Sequence, residues 1–274
     1  MVLEALINPV KAEKKPWEMF FIGMIYASIA VIISISVFKE LSSIVMIALT
    51  AMASIPIIYG AINLEEKKDM EIDDEKILIK EHGKALSFFI FLFLGFTAAF
   101  VIWYIMLPSE MTLTVFSAQT DTISHINNHV TGNLYSTTSA VLLIFMNNFK
   151  VMLICLLFAF FYGFGAIFIL TWNASILATV IGDLIRDSAS SYAASYMIFP
   201  MVLARYLLHG IPEILAYFTA GLAGGIISIA VIRHDYASPK FKHVLADSLD
   251  LMMISIVLLI TAAVVEVSVS PLLL

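Results

Sequence analysis

The stretch Met19–Phe38, MFFIGMIYASIAVIISISVF, carries no charge over twenty residues and decides the fold. About 20 apolar residues, as a helix, cross the roughly 30 Å of hydrocarbon in a bilayer. Working outward, Lys39 and Glu40 make a tight turn, and Leu41 to Ile62 repeats the pattern as a second span. Pro56 and Gly60 near its end are expected to bend it. The first 16 residues, ending Lys11, Lys14, Lys15, Pro16, are charged. A secretory signal has a shorter apolar core and a small-residue cleavage site, so the run reads as an uncleaved first span.

Composition agrees. Of 274 residues, 61% are hydrophobic and only 13% charged, with a mean hydropathy of +0.98. A soluble domain is nearer half apolar and a quarter charged, so these charges could not cover a water-facing surface. The net charge of −6 is spread along the chain, which leaves no basic footprint for nucleic acid. Cys155 is the only cysteine, which excludes a disulfide within the chain and Cys-rich metal sites. Gln119 is the only glutamine while Lys and Glu are well used, a composition expected of a thermophilic source.

Further spans follow. Asn63 to Lys84 reads as a charged loop, Ala85 to Leu107 as span three, Pro108 to about Asn148 as a long polar segment, and Phe149 to Trp172 as span four. Asn173 to Gly182 is apolar but short, which suits a re-entrant or interfacial helix. Ser188 to Leu208 and Ile211 to Ile232 read as spans five and six, joined by a turn at His209–Gly210, and Leu249 to Val267 as span seven. The expected fold class is an all-α polytopic transmembrane helical bundle of six to seven spans. It divides into a three-span region (residues 1–107, with the charged loop 63–84), an extracytoplasmic loop (108–148) and a C-terminal helical region (149–274). No Lys or Arg lies between Lys84 and Lys150. Cationic loops stay inside, so the N-terminus and loop 63–84 are expected in the cytoplasm of a multi-pass cell-membrane protein.

Ionisable groups in lipid are rare and mark sites. Arg205, His209 and Glu213 recur at offsets of four, one face of a continuous helix, although Gly210 and Pro212 favour a turn, with Pro212 in the first turn of span six. A buried Glu213 must be protonated or partnered, and Arg205 and His209 are the nearest candidates. The cluster reads as a cap and ion pair fixing a hairpin, as a proton, ion or headgroup site, or as a metal or catalytic site. Asn147, Asn148 and Asn173 need partners in hydrocarbon, and the first two are expected to meet His209 and Glu213. Gly221 and Gly225, with Gly224 beside them and Gly163 and Gly165 in span four, allow close helix packing in a tight monomer or a homo-oligomer. Asp121, His125 and His129 share a spacing that could take a metal, although solvated loops often show it by chance.

H-E-x-x-H, G-x-S-x-G, P-loop and G-x-G-x-x-G signatures are missing from the sequence. Neither an enzyme nor a bound cofactor or metal is therefore expected. The lipid bilayer is the first partner, and loops 63–84 and 108–148 offer docking surfaces for proteins. Three functions remain: a scaffold or membrane-remodelling protein, a transporter or channel for a small molecule, ion or lipid around Asn148, Arg205, His209 and Glu213, and, last, an intramembrane hydrolase.

Asn147-Asn148-Phe149-Lys150, the glycines Gly163 and Gly165, Asn173 and Gly182, then His209-Gly210-x-x-Glu213 and Ala220-Gly221…Gly224 together resemble the stage II sporulation protein M family. The resemblance covers about Asn147 to Ile232. The family's usual proline before His-Gly is Leu208 here. The resemblance implies a membrane anchor that works with cell-wall-cutting partners in spore formers, and a scaffold of unassigned role in relatives, archaeal ones included, that make no spores.

Overall fold

A computed structural model describes residues 13–72, 74–130, 137–162, 165–190, 195–233 and 238–269. The side chains at 75, 126–130, 137–138, 188–190, 195–203 and 205–206 lie outside that description. The described residues form helices and no strands: α1 (Glu18–Ile33), α2 (Ser42–Glu71), α3 (Glu75–Met106), α4 (Ser109–Val115), α5 (Ser117–Val130), α6 (Thr137–Tyr162), α7 (Ala166–Ser190), α8 (Ser195–Arg233) and α9 (Pro239–Ser268).

Six stretches among them are long and apolar enough to cross a membrane, and the first is the 54-residue Glu18–Glu71. That stretch is two helices. A π turn over Ser34–Phe38 and a 3₁₀ turn over Lys39–Leu41, with Lys39 at φ 36°, reverse the chain where the sequence placed its tight turn. Glu13 then lies beside Lys68 at one end of the hairpin, while Lys39 and Ser42 line a surface hollow with Glu110 and Thr114 at the other.

Three boundaries differ from the sequence reading. Asn63 to Lys84 is not a loop: α2 continues to Glu71 and α3 starts at Glu75, capped by Asp74, whose carboxylate accepts from the backbone N–H of Lys76 and Ile77 at 2.9 and 3.3 Å. No Gly or Pro interrupts residues 61–82, and Leu, Glu, Lys and Met are good helix formers. Span four does not run from Phe149 to Trp172. α6 ends at Tyr162 and α7 begins at Ala166, and at Gly165 an added Cβ would stand 2.4 Å from the Phe158 carbonyl oxygen. The chain returns as α7, so Asn173 to Gly182 belongs to a helix long enough to cross. Spans five and six are not separated by a turn at His209–Gly210, because α8 is one helix of 39 residues. Membrane helices tolerate Gly and Pro when neighbours satisfy the freed backbone groups.

α8 is the centre of the bundle and packs on α9, α6, α7, α2 and α3. Close approach is set by small residues. A Cβ on Gly224 would stand 2.5 Å from the Leu156 carbonyl oxygen of α6, and one on Gly221 2.9 Å from Ala166 of α7. The α1–α3 crossing uses Gly23 and Gly95 likewise, at 2.5 Å from the Leu92 oxygen and 2.2 Å from the Phe20 oxygen. The polar segment after α3 is folded onto the bundle. Fully buried Gln119 of α5 accepts from Ser43 of α2 at 2.9 Å and donates to Ser175 of α7 at 3.1 Å. Arg186 of α7 donates to the Leu107 carbonyl at 2.5 Å and to Thr112 at 3.0 Å, holding the end of α3.

Candidate functional site: a groove beside Glu213 and a buried charged end

Because α8 runs straight through His209 and Glu213, the two fall one turn apart on one face. Both open onto a groove of about 230 Å³ between α3, α7 and α8. Its walls are aliphatic and aromatic, with Phe93 and Leu94 from α3, Ile176 and Val180 from α7, and Leu207 and Ile214 from α8. Asn173, His209 and Glu213 are its polar side chains. Gly210 also lines it, and a Cβ there would meet nothing within 4 Å.

Glu213 is partly exposed on this wall and is held from behind by neutral donors. The Tyr217 hydroxyl, one turn on, donates to it at 2.7 Å. The Asn148 side chain of α6 hydrogen-bonds it as well. The structure thus joins Asn148 to Glu213 across the α6–α8 contact. Asn147 is exposed, its amide 3.5 Å from the Asn148 oxygen, and Asn173 donates to the Ile169 carbonyl of its own helix at 2.8 Å. Tyr217 was missed although it sits four residues from Glu213 within the span read as Ile211 to Ile232, where helical spacing already brings the two together. The side chain of Arg205 lies outside the described residues.

A second concentration of polar groups, unmarked by the sequence reading, lies where α2, α3, α8 and α9 end together. Glu65, Glu66 and Asp69 are fully buried and His82 is 2% exposed. Lys68 joins three carboxylates, at 2.6 Å from Glu65, 2.7 Å from Glu13 and 3.3 Å from Glu81. Arg233 pairs with Glu66 at 3.1 Å. His82 places Nδ1 2.8 Å from Glu65 and Nε2 3.2 Å from Asp69. The legible signal was the Glu65–Asp69 spacing on an uninterrupted helix-forming run. Burial lifts the Glu13 carboxyl to about 7, with the hydrogen bond from Lys68 opposing and Glu65 reinforcing the rise.

The other sequence candidates stand apart from both places. Asp121 and His125 are exposed on α5, the His129 side chain lies outside the described residues, and among the described residues no group of three or more His, Cys, Asp or Glu could hold a metal ion. Gly163 lies outside the described residues too, and Gly225 is buried in α8.

Among comparisons with known proteins, the family model of Stage II sporulation protein M matches residues 85–271, which takes in most of α3, all of α4 to α9 and the groove, but of the charged end's ion pairs only Arg233. No curated protein and no solved structure matches the chain.

Proposed function

This chain belongs to the stage II sporulation protein M family, and from that premise we propose that it is a non-enzymatic membrane protein that holds an amphiphilic lipid in the groove beside Glu213. The observation that carries this reading is the groove itself: apolar-walled, and edged by an imidazole, a carboxamide and a carboxylate. Ligand sites have this make-up, with apolar walls fixing the body of a ligand and a few polar groups its orientation. The lining includes no hydroxyl or thiol nucleophile among the described residues, which supports binding over catalysis.

A scaffold role is the companion reading. α2 and α3 continue as helices past their apolar stretches and expose Lys67, Glu71, Lys76 and Lys80, a charged helical surface suited to a protein partner. The charged end also gathers Lys14, Lys15 and Arg233, and cationic ends face the cytoplasm, so we place the N-terminus there, in the cell membrane.

Native mass spectrometry of the detergent-purified protein tests the lipid reading. The wild type is expected to carry a lipid adduct. Gly210→Leu, at a groove-lining position where an added Cβ meets no described atom within 4 Å, is expected to lose it while keeping its melting temperature. A lipid-free wild type, or an equal adduct in the variant, contradicts the reading.

A further inference from the structure

At the far end of the α1–α2 hairpin from the charged end, the chain reversal and α4 enclose a hollow of about 390 Å³. It shares no lining residue with the groove. Lys39 lines it with an exposed side chain and is the only non-glycine residue at positive φ among the described residues, at 36°. An L side chain adopts that conformation at a cost. Next to it α2 begins, and Leu41 before it supplies no side-chain cap. The first N–H groups of a helix lack partners within it and carry partial positive charge, so the start of this 30-residue helix favours an anion. Ser42 also lines the hollow. It is fully buried, and its hydroxyl has no hydrogen-bond partner among the described residues. A buried hydroxyl without a partner is costly, and an acceptor oxygen entering the hollow relieves it.

Glu40 and Glu110 complete the charged lining, both exposed, and neither they nor Lys39 forms an ion pair among the described residues. Val37, Leu41 and Leu113 nearby in the chain are exposed, apolar side chains that an acyl chain would cover. A ligand matching this lining carries an anion and a cation side by side: the anion for Lys39, Ser42 and the start of α2, the cation for Glu40 and Glu110. A phosphate joined to a primary ammonium has that make-up. We propose that the hollow binds the headgroup of a zwitterionic aminophospholipid of the phosphatidylethanolamine kind, with its phosphate toward Lys39 and Ser42 and its ammonium toward the two carboxylates. With the charged end in the cytoplasm, this lipid belongs to the outer leaflet. The site is open, so its lipid exchanges with the bilayer and is lost in detergent, unlike the lipid held in the groove.

Isothermal titration of short-chain dihexanoyl phosphatidylethanolamine into the detergent-purified protein tests this. Saturable binding of one lipid per chain is expected, equal in the wild type and in Gly210→Leu, so the result does not depend on the groove. Lys39→Gly is expected to bind at least about tenfold more weakly, having lost a charge-assisted contact to phosphate. Its Tm should not fall, because glycine takes a positive φ without strain. Dihexanoyl phosphatidylglycerol, which has the phosphate and no ammonium, is expected to bind the wild type at least about tenfold more weakly too, and Glu110→Gln to narrow that difference. Should Lys39→Gly lose Tm, Glu110→Gln decides. Free phosphoethanolamine, without acyl chains, is expected to bind more weakly than the lipid. No saturable binding, unchanged affinity in Lys39→Gly, an unchanged preference in Glu110→Gln, or equal affinity for phosphatidylglycerol overturns the proposal. Equal affinity for phosphoethanolamine overturns it as well, by making the ligand a soluble one.

Discussion

The groove wall and the charged end bury carboxylates in opposite ways. Glu213 is one carboxyl met by two neutral donors, Tyr217 and Asn148, with lipid-like walls around it. Glu13, Glu65 and Glu81 share one ammonium, and Glu66 has Arg233. A site built from neutral donors is insensitive to losing its charge, whereas a site built from shared cations fails when one is removed. The first suits a place where a ligand's polar group can come and go, the second a joint that holds helix ends together.

Substitutions can break that contrast. Lys68→Met removes the cation common to three carboxylates, and breaking a buried ion network typically costs about 3 kcal/mol or more. Thermal unfolding in detergent should show the largest loss here. Glu213→Gln preserves an acceptor for Tyr217 and is expected to cost no more than about 1 kcal/mol. A loss comparable to Lys68→Met would mean that Glu213 is an ionised member of a buried pair, and the contrast would vanish.

The smallest effect concerns pH. Glu13 is raised from 4.5 to about 7 in the folded protein, so between those values the native state holds a proton that the unfolded chain has released. Its contribution to stability therefore falls as pH rises through that window and is level above it. Tm measured against pH should slope downward there more steeply in the wild type than in Glu13→Gln. Identical slopes would show that Glu13 is not buried against Lys68.

Much of the fold was legible because lipid selects for uninterrupted apolar runs: Met19–Phe38, the reversal at Lys39 and the span before Leu107 all appear in the sequence. What misled was punctuation. Gly210 and Pro212 end helices in water, but α8 is enclosed by five other helices and passes through them. The run from Phe149 to Trp172 looked like one span because its apolar character is unbroken, while α6 ends at Tyr162 and α7 begins at Ala166. The run from Asn63 to Lys84 looked like a loop because its charges suggested solvent, while pairing with Lys68 and Arg233 lets Glu65 and Glu66 be buried on helices. The Asn148–Glu213 contact was foreseeable from the need of both groups for partners. The groove was not, since its α8 wall runs across His209–Gly210 and depends on the helix being unbroken.

That continuity is the central claim, because it puts His209 and Glu213 on one wall and separates the groove from the charged end. Spin labels at Ile198 and Ile232, in a Cys155→Ser background, measure it by pulsed electron paramagnetic resonance. A single α8 gives a separation of about 50 Å at 1.5 Å per residue. A distance near 20 Å, the value for two helices folded back at His209–Gly210, would contradict it.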